Sequence, residues 1–489
     1  MENKMNFKFL LLFIISIIIL CIGMTCKSLQ NDTFYMIKLG DYIFHHGIDL
    51  KDHWVWMLNL SYTYPHWLYD LFIYIIYNYF GYNGIYISNI LLYIILILII
   101  FYINININNN KFLAYFISLI SIILLSFGIT ARAQVLTYIL FLLEVFYILK
   151  LINNGKKKNI FMLVLFSILI ANIHATVWLF YFILFLPFIG EQIIYFLVKK
   201  YNIKVNKKLI INKINNFDKL VLSFILSFIG GLLSPSKICY TYVFRIMMGD
   251  SQLYINEHAP LVLIKNPLFI GLILVLLIVL IFTKTKIKLN ELFMIGGLSL
   301  MSLMSSRHII FFYLIGVLFI SIIIMRYFTE SKDYTLDILY NIIINNNIIY
   351  ALIFVIVIVC GVYSFNYNNK YDYIDKKEYP IKAVKYIKDN LDYKHIKLFN
   401  TYNYGSYIMY NDIPVFIDSR CDLYLKEFNG KVSIFDEVVT IKGNYKDILD
   451  KYGVEYALVK NDDFLYELLI RDFKNVEYHD KYFTLFKIS

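Results

Sequence analysis

Apolar residues run in long blocks from Phe9 to Ser364, each closed by a lysine, an asparagine-rich turn or a short polar loop. The blocks are Phe9–Met24, Tyr82–Ile103, Phe112–Ile129, Val135–Ile152, Ile160–Ile173, Thr176–Val198, Leu220–Leu233, Pro267–Phe282, Leu292–Met304, Ile309–Met325 and Ile348–Ser364. Most approach the ~20 residues that carry a helix across a ~30 Å hydrocarbon layer, so about eleven transmembrane helices are predicted. Lys4 and Lys8 ahead of the first block also suit a signal peptide, but its near-full length and the lack of a small-x-small cleavage site favour an uncleaved first helix. Beyond Ser364 the pattern changes. Helices at Tyr379–Leu391, Tyr445–Tyr452 and Asp462–Asp472 alternate with strands at Ile396–Asn400, Pro414–Asp418 and Glu455–Lys460 and a strand pair at Val476–Ile488, the signature of a small α/β soluble domain. The predicted organisation is a polytopic α-helical membrane domain over 1–365, with a polar loop at 27–67, and a C-terminal domain over 366–489.

Composition agrees: 60% of the 489 residues are hydrophobic, 17% are charged, and the mean hydropathy is +0.63. The net charge of +11 would suit nucleic acid or anionic lipid, but the lysines concentrate at Lys111, Lys156–Lys158, Lys199–Lys219 and Lys284–Lys288. With a cytoplasmic N-terminus all of these loops fall on the cytoplasmic side. The charge then reports topology, and nucleic acid drops out as a partner. Five cysteines without paired spacing indicate neither a disulfide framework nor a zinc site.

That orientation gathers on the outer side the loop Asn31–Asp70, Arg132 and Gln134, Asn172 and His174, the loop Ser234–Pro260, Arg307, His308 and the whole tail. Charged groups at membrane depth are costly and thus functional candidates. Asp32, just past the first span, is a candidate general base; it equally suits the start of a helix running through Phe34, Ile37 and Leu39. Asp41, Asp49 and Asp52 are further candidate bases. His45 and His46 beside Asp49 and Asp52 could hold a divalent metal, although adjacent histidines cannot both face one ion from a regular helix; no cofactor is assigned. Trp54, Trp56 and Trp67, with His66, offer indole faces for sugar rings or anchors for the membrane interface. Arg132 and Arg307 could clamp a phosphate or snorkel to lipid headgroups. In the tail, Asp418 and Arg420 within VFIDSRCDLY could bind a ligand at a strand end or simply pair across a turn, and Gly405 could serve a tight backbone.

Taken in order, these segments resemble membrane glycosyltransferases of the GT-C fold, the superfamily that includes the family 39-like, polyprenyl-phosphate-sugar-dependent protein mannosyltransferases and the lipid-A aminoarabinose transferases. The likeness is strongest to a bacterial branch with an exoplasmic C-terminal domain. Its Asp after the first span, its Gly and its GxPxxDxxS-like stretch correspond to Asp32, Gly40 and Gly47 to Asp52. Its WL, RPQ and NxH elements resemble His66-Trp67-Leu68, Arg132-Ala133-Gln134 and Asn172-Ile173-His174. Its NP and EWxP pair is similar to Ser234-Pro235 and Glu257-His258-Ala259-Pro260, its late arginine to Arg307, and its NxYxxGxYLxW…VFIDGRxDLY to Asn400 through Tyr424, with Gly405, Tyr407, Asp418, Arg420 and Asp422. Ala133, Ser234, His258 and Ser419 depart from the pattern. The resemblance implies an inverting transferase with a polyprenyl-phosphate sugar donor, a cell-envelope glycan, lipid or protein acceptor, and Asp32 as base or substrate orienter. It also implies a substrate site drawing on His66, Arg132, Gln134, Asn172, His174, Glu257, Arg307, Asn400, Gly405, Tyr407, Asp418 and Arg420. A non-enzymatic transporter or assembly partner for lipid-linked saccharides is the rival expectation.

Overall fold

The computed structural model describes residues 6–247, 256–370, 372–431, 433–441 and 444–489. The middle of the expected Ser234–Pro260 loop lies outside them. The chain opens with helices α1 (Phe7–Met24), α2 (Asn31–His46), α3 (Trp67–Asn108), α4 (Lys111–Leu125), α5 (Gln134–Asn154) and α6 (Lys157–Ile173). Among the described residues, seven helices are long and apolar enough to cross a membrane: Phe7–Met24, Trp67–Asn108, Lys111–Gly128, Gln134–Asn154, Ala175–Tyr201, Ser306–Glu330 and Asn347–Asn368. The other four expected spans fall on α6, Phe217–Gly230, Pro267–Phe282 and Leu289–Met304, which have 17, 14, 16 and 16 residues. These fall short of the ~20 residues of an upright span.

The asparagine-rich turns are helix starts. Asn110 Oδ1 accepts the Leu113 amide at 2.9 Å and begins α4, and Asn346 Oδ1 accepts from Ile348 and Ile349 and begins Asn347–Asn368. Gly81, at φ 60°, breaks the helical geometry inside α3 and joins the stretch before it, from Trp67, to the apolar stretch after it.

The described residues fall into two compact units. The first is drawn from Met1–Cys26, Ile87–Ser234 and Asn256–Lys370 and holds most of the apolar helices. There α1 meets Asn347–Asn368 at two glycines: a Cβ on Gly23 would lie 2.5 Å from the Gly361 carbonyl oxygen, so only small residues permit this crossing. A short parallel pair, β1 (Leu209–Ile210) and β2 (Ile287–Lys288), ties two basic loops together.

The second unit is drawn from Lys27–Tyr86, Pro235–Ile255 and Tyr371–Ser489. Its four-stranded sheet runs β3 (Leu398–Phe399), β4 (Tyr456–Lys460), β6 (Phe483–Lys487), β5 (Val476–His479), with β3 parallel to β4 and the remaining pairs antiparallel. Helices Ile381–Asn390, Tyr402–Tyr410, Tyr445–Tyr452 and Phe464–Asp472 accompany it. The expected strand Pro414–Asp418 does not join this sheet. Val415 pairs instead with the early loop, its amide donating to the Trp54 carbonyl at 2.9 Å and its carbonyl accepting from the Trp56 amide at 3.3 Å.

Candidate functional site

In the first unit, two turns carry the polar residues found at helix ends. The turn Thr130–Ala133 precedes α5; the turn Ser306–His308 opens the helix that ends at Glu330 and contains a π-helical stretch at Phe312–Gly316. Local packing brings them together, since a Cβ on Gly128 would lie 2.6 Å from Ile310 Cδ1. A third piece is pinned alongside: the Ser305 and Ser306 hydroxyls donate to the Glu257 carbonyl at 3.2 and 3.0 Å, and the Ser306 amide donates to the Ala259 carbonyl at 2.9 Å. Arg132, Arg307 and Glu257 thereby come within electrostatic reach of the buried Tyr138 hydroxyl. The half-buried Arg307 guanidinium has no hydrogen bond or ion pair among the described residues. Beside it, burial first and Arg307 second hold His258 below the ordinary histidine pKa, against the pull of Glu257. Two arginines gathered at helix ends in this way suit an anion.

Of the other expected residues in this unit, His174 is buried with Nδ1 at 3.0 Å from the Thr137 hydroxyl, and Asn172 donates to the Ile168 carbonyl at 2.8 Å. Gln134 is the half-buried first residue of α5. Sequence reasoning passed over Tyr138; an apolar block hides a tyrosine well.

In the second unit, Asp32 occupies the first turn of α2, half-buried, with the Tyr379 hydroxyl in its field. Asn31 anchors that turn by donating to the Tyr402 carbonyl at 2.9 Å, and Phe34 packs edge-on against Tyr379 and Tyr407. Asp41, one α2 face further on, pairs with Lys38 and His45. Asp49 accepts from Tyr42 at 2.9 Å and meets His53 Nε2 at 2.8 Å; burial alone would raise its pKa, but these partners and the Lys51 amide bring it below the usual carboxylate range. His66 sits half-buried where α3 begins, its carbonyl accepting the Tyr69 and Asp70 amides.

Asp52, Asp418 and Arg420 are brought together, but as an interior lock. Arg420 donates through Nη1 to Asp52 at 2.6 Å and through Nε and Nη2 to Asp418 at 2.9 and 2.6 Å. Burial works against its charge, and Asp418 and Asp52 outweigh that penalty, so its pKa lies above the usual value. Asp52 also accepts the Trp54 and Val55 amides, and the Tyr424 hydroxyl donates to Asp418. Asp52, an expected base, and Asp418 and Arg420, expected ligand groups, therefore have their charges paired with one another inside the unit. Asn400 likewise bridges Ile417 and Phe416, Gly405 lies where a Cβ would come 1.9 Å from the Ile417 carbonyl, and Tyr407 packs between Phe34 and Tyr379. The tail motif thus builds the interior. Trp54 and Trp56 belong to the same lock, Trp54 beneath the Arg420 guanidinium at 5.3 Å and Trp56 donating to the Leu398 carbonyl at 3.0 Å.

Asp422, buried beside this lock, has its pKa pushed up to about 6 by burial, against the pull of Arg420. The folded carboxyl holds its proton more tightly than the unfolded one, so its contribution to stability is complete below about pH 4 and is lost as pH rises through about 6, a loss on the order of 3 kcal/mol. Asp422→Asn is expected to flatten this fall, visible as a weaker pH dependence of the unfolding temperature between about pH 4 and 7. An unchanged slope would refute the assignment.

Among the described residues no group of three or more His, Cys, Asp or Glu is arranged to hold a metal ion. Asp70 was a further omission of the sequence reading: it is fully buried and neither carboxylate oxygen has a hydrogen-bond partner among the described residues.

No family model matches the chain, and no curated protein is significantly similar to it. Solved structures are. The archaeal oligosaccharyltransferase AglB from Archaeoglobus fulgidus, in complex with an inhibitory peptide and a dolichol-phosphate, superposes with a TM-score of 0.60 at 10% identity, covering 93% of this chain and 69% of that one. The Archaeoglobus fulgidus oligosaccharyltransferase in its apo form gives 0.61 at 11% identity, covering 94% and 70%. At such identity the likeness is one of fold alone: the chain is folded like these oligosaccharyltransferases.

Proposed function

We propose that this chain is a membrane glycosyltransferase that moves a sugar from a polyprenyl-phosphate donor to a cell-envelope acceptor on the outer face of the cytoplasmic membrane. In this reading about eleven helices cross the membrane, the N-terminus is cytoplasmic and the C-terminal domain is exoplasmic, in keeping with the lysine-rich loops. Arg307 and Arg132 hold the donor phosphate, Asp32 takes the proton of the acceptor hydroxyl, and Asn172, His174 and Glu257 shape the sugar pocket. The observation that carries the proposal is the half-buried Arg307 guanidinium, unpaired among the described residues, within a GT-C-like fold. An arginine in such a setting matches the planar, charge-assisted hydrogen bonding of a phosphate. The family 39-like and bacterial-branch affinities rest on the ordered motifs.

Arg307→Gln is expected to weaken binding of a polyprenyl phosphate by about 10²-fold, the order of two lost charge-assisted hydrogen bonds. Titration of the purified protein with undecaprenyl phosphate measures this; unaltered affinity would sink the role. A second reading, transport of a lipid-linked saccharide without chemistry, draws on Glu144, fully buried along α5 with neither carboxylate oxygen hydrogen-bonded among the described residues. Vesicle-reconstituted protein that moved labelled donor across the bilayer unaltered would favour it.

A further inference from the structure

We propose that His258 is the acid of the donor site, its imidazolium passing a proton to the phosphate oxygen from which the sugar departs; this rests on the reading that Arg307 binds a lipid phosphate. The backbone on both sides of His258 is fixed by the hydrogen bonds from Ser305 and Ser306 to Glu257 and Ala259. Its half-buried ring has no hydrogen bond among the described residues. Among the described residues the charged and titratable groups in its field are Arg307, Glu257 and His308. His308 is held apart from the chemistry, with Nδ1 at 3.3 Å from the Met301 carbonyl and its ring against Phe180. Tyr138 and Arg132 complete the surroundings through their shared field with Arg307 and Glu257.

During transfer the bond from the anomeric carbon to the phosphate oxygen breaks, its electron pair stays on that oxygen, and the acceptor oxygen bonds to the carbon as its proton passes to a catalytic base residue. The departing phosphate monoester gains a second negative charge. A proton from His258 neutralises that charge and leaves a neutral imidazole; exchange with water restores both residues. In the free protein burial and Arg307 disfavour the imidazolium, whereas a bound phosphate favours it. Binding therefore takes up a proton and strengthens as pH falls.

The test is binding of undecaprenyl phosphate to the full-length protein in detergent from about pH 5.5 to about pH 8, the range over which histidine changes charge. Wild type, His258→Gln and Arg307→Gln are compared, with undecaprenol as the uncharged control and inorganic phosphate as competitor. The ligand's own second ionisation falls in the same range, so the His258→Gln curve is the reference. Wild type should gain about tenfold over that reference toward the acid end and match it at the alkaline end. Matching affinity at the alkaline end also verifies that the variant is folded, and His258→Asn replaces it if not. In turnover, His258→Gln should lower kcat by about 10²-fold with little change in KM. Parallel pH curves with wild-type binding intact would overturn the proton role and leave the phosphate reading standing. Equal binding of undecaprenol by the wild type would overturn both. Displacement by inorganic phosphate with the acid-end gain retained would support the proton role with free phosphate as the ligand.

Discussion

Arg420→Met is expected to cost the second unit about 3–5 kcal/mol, because it leaves two buried carboxylates facing each other without their cation. The side chains of Arg420, Asp52 and Asp418 are 0–1% exposed, so water cannot screen what remains. Rings of Trp54 and Tyr62 lie 5.3 and 5.0 Å from the guanidinium carbon and lose their cation contact as well. A surface pair of the same unit, Lys460 with Glu378 at 3.1 Å, should contribute less than about 1 kcal/mol when removed. Thermal unfolding and protease sensitivity of the loop 27–67 measure the difference. Because the lock joins that loop to the tail segment around Asp418, cleavage within the loop should accelerate before the rest of the chain melts. Neutralising both acids in the Arg420→Met background should restore much of the loss, since the penalty comes from unpaired charge. An Arg420→Met protein as stable and protease-resistant as wild type would refute the lock.

Asp32→Asn is expected to lower kcat by about 10²–10⁴-fold while leaving the unfolding temperature nearly unchanged. The alternative role, an acid in the first turn of α2 favoured by the helix dipole, is worth only about 0.3–1 kcal/mol of stability and predicts no kinetic loss. The two roles are therefore separable by magnitude and by readout. The turn is also positioned by the Asn31 hydrogen bond to the Tyr402 carbonyl and by Phe34 against Tyr379, which the substitution leaves in place. Sugar transfer from labelled polyprenyl phosphate by reconstituted protein reads the kinetic effect. Full transfer by the variant would move the base to another acid. Asp41 and Asp49 already have partners at the surface, and Asp52 is held by Arg420.

Much of the fold was legible because it rests on local pattern. Apolar block length marks the long helices, the asparagine runs mark where α4 and Asn347–Asn368 begin, and the tail helix Tyr445–Tyr452 follows from its own periodicity. The candidate site was legible only in part. The sequence singles out Arg132 and Arg307, since a charge between two apolar blocks is conspicuous, but it does not show that Tyr138 lies in the field of both. Nor does it separate residues that meet a ligand from residues that meet each other. Asp52 and Arg420 stand 368 positions apart, and each looks like site chemistry until the other is found against it.

The sequence by itself determined the long apolar helices and their order along the chain, because hydrophobic length acts locally. Only the tertiary structure decided which charges remain available. It turned Pro414–Asp418 toward the early loop, enclosed Asp52, Asp418 and Arg420 together, and left Arg307 beside His258. The reason is physical: whether a charge is solvated, paired or left unpaired depends on what folding brings within a few ångströms of it, and those neighbours come from distant parts of the chain.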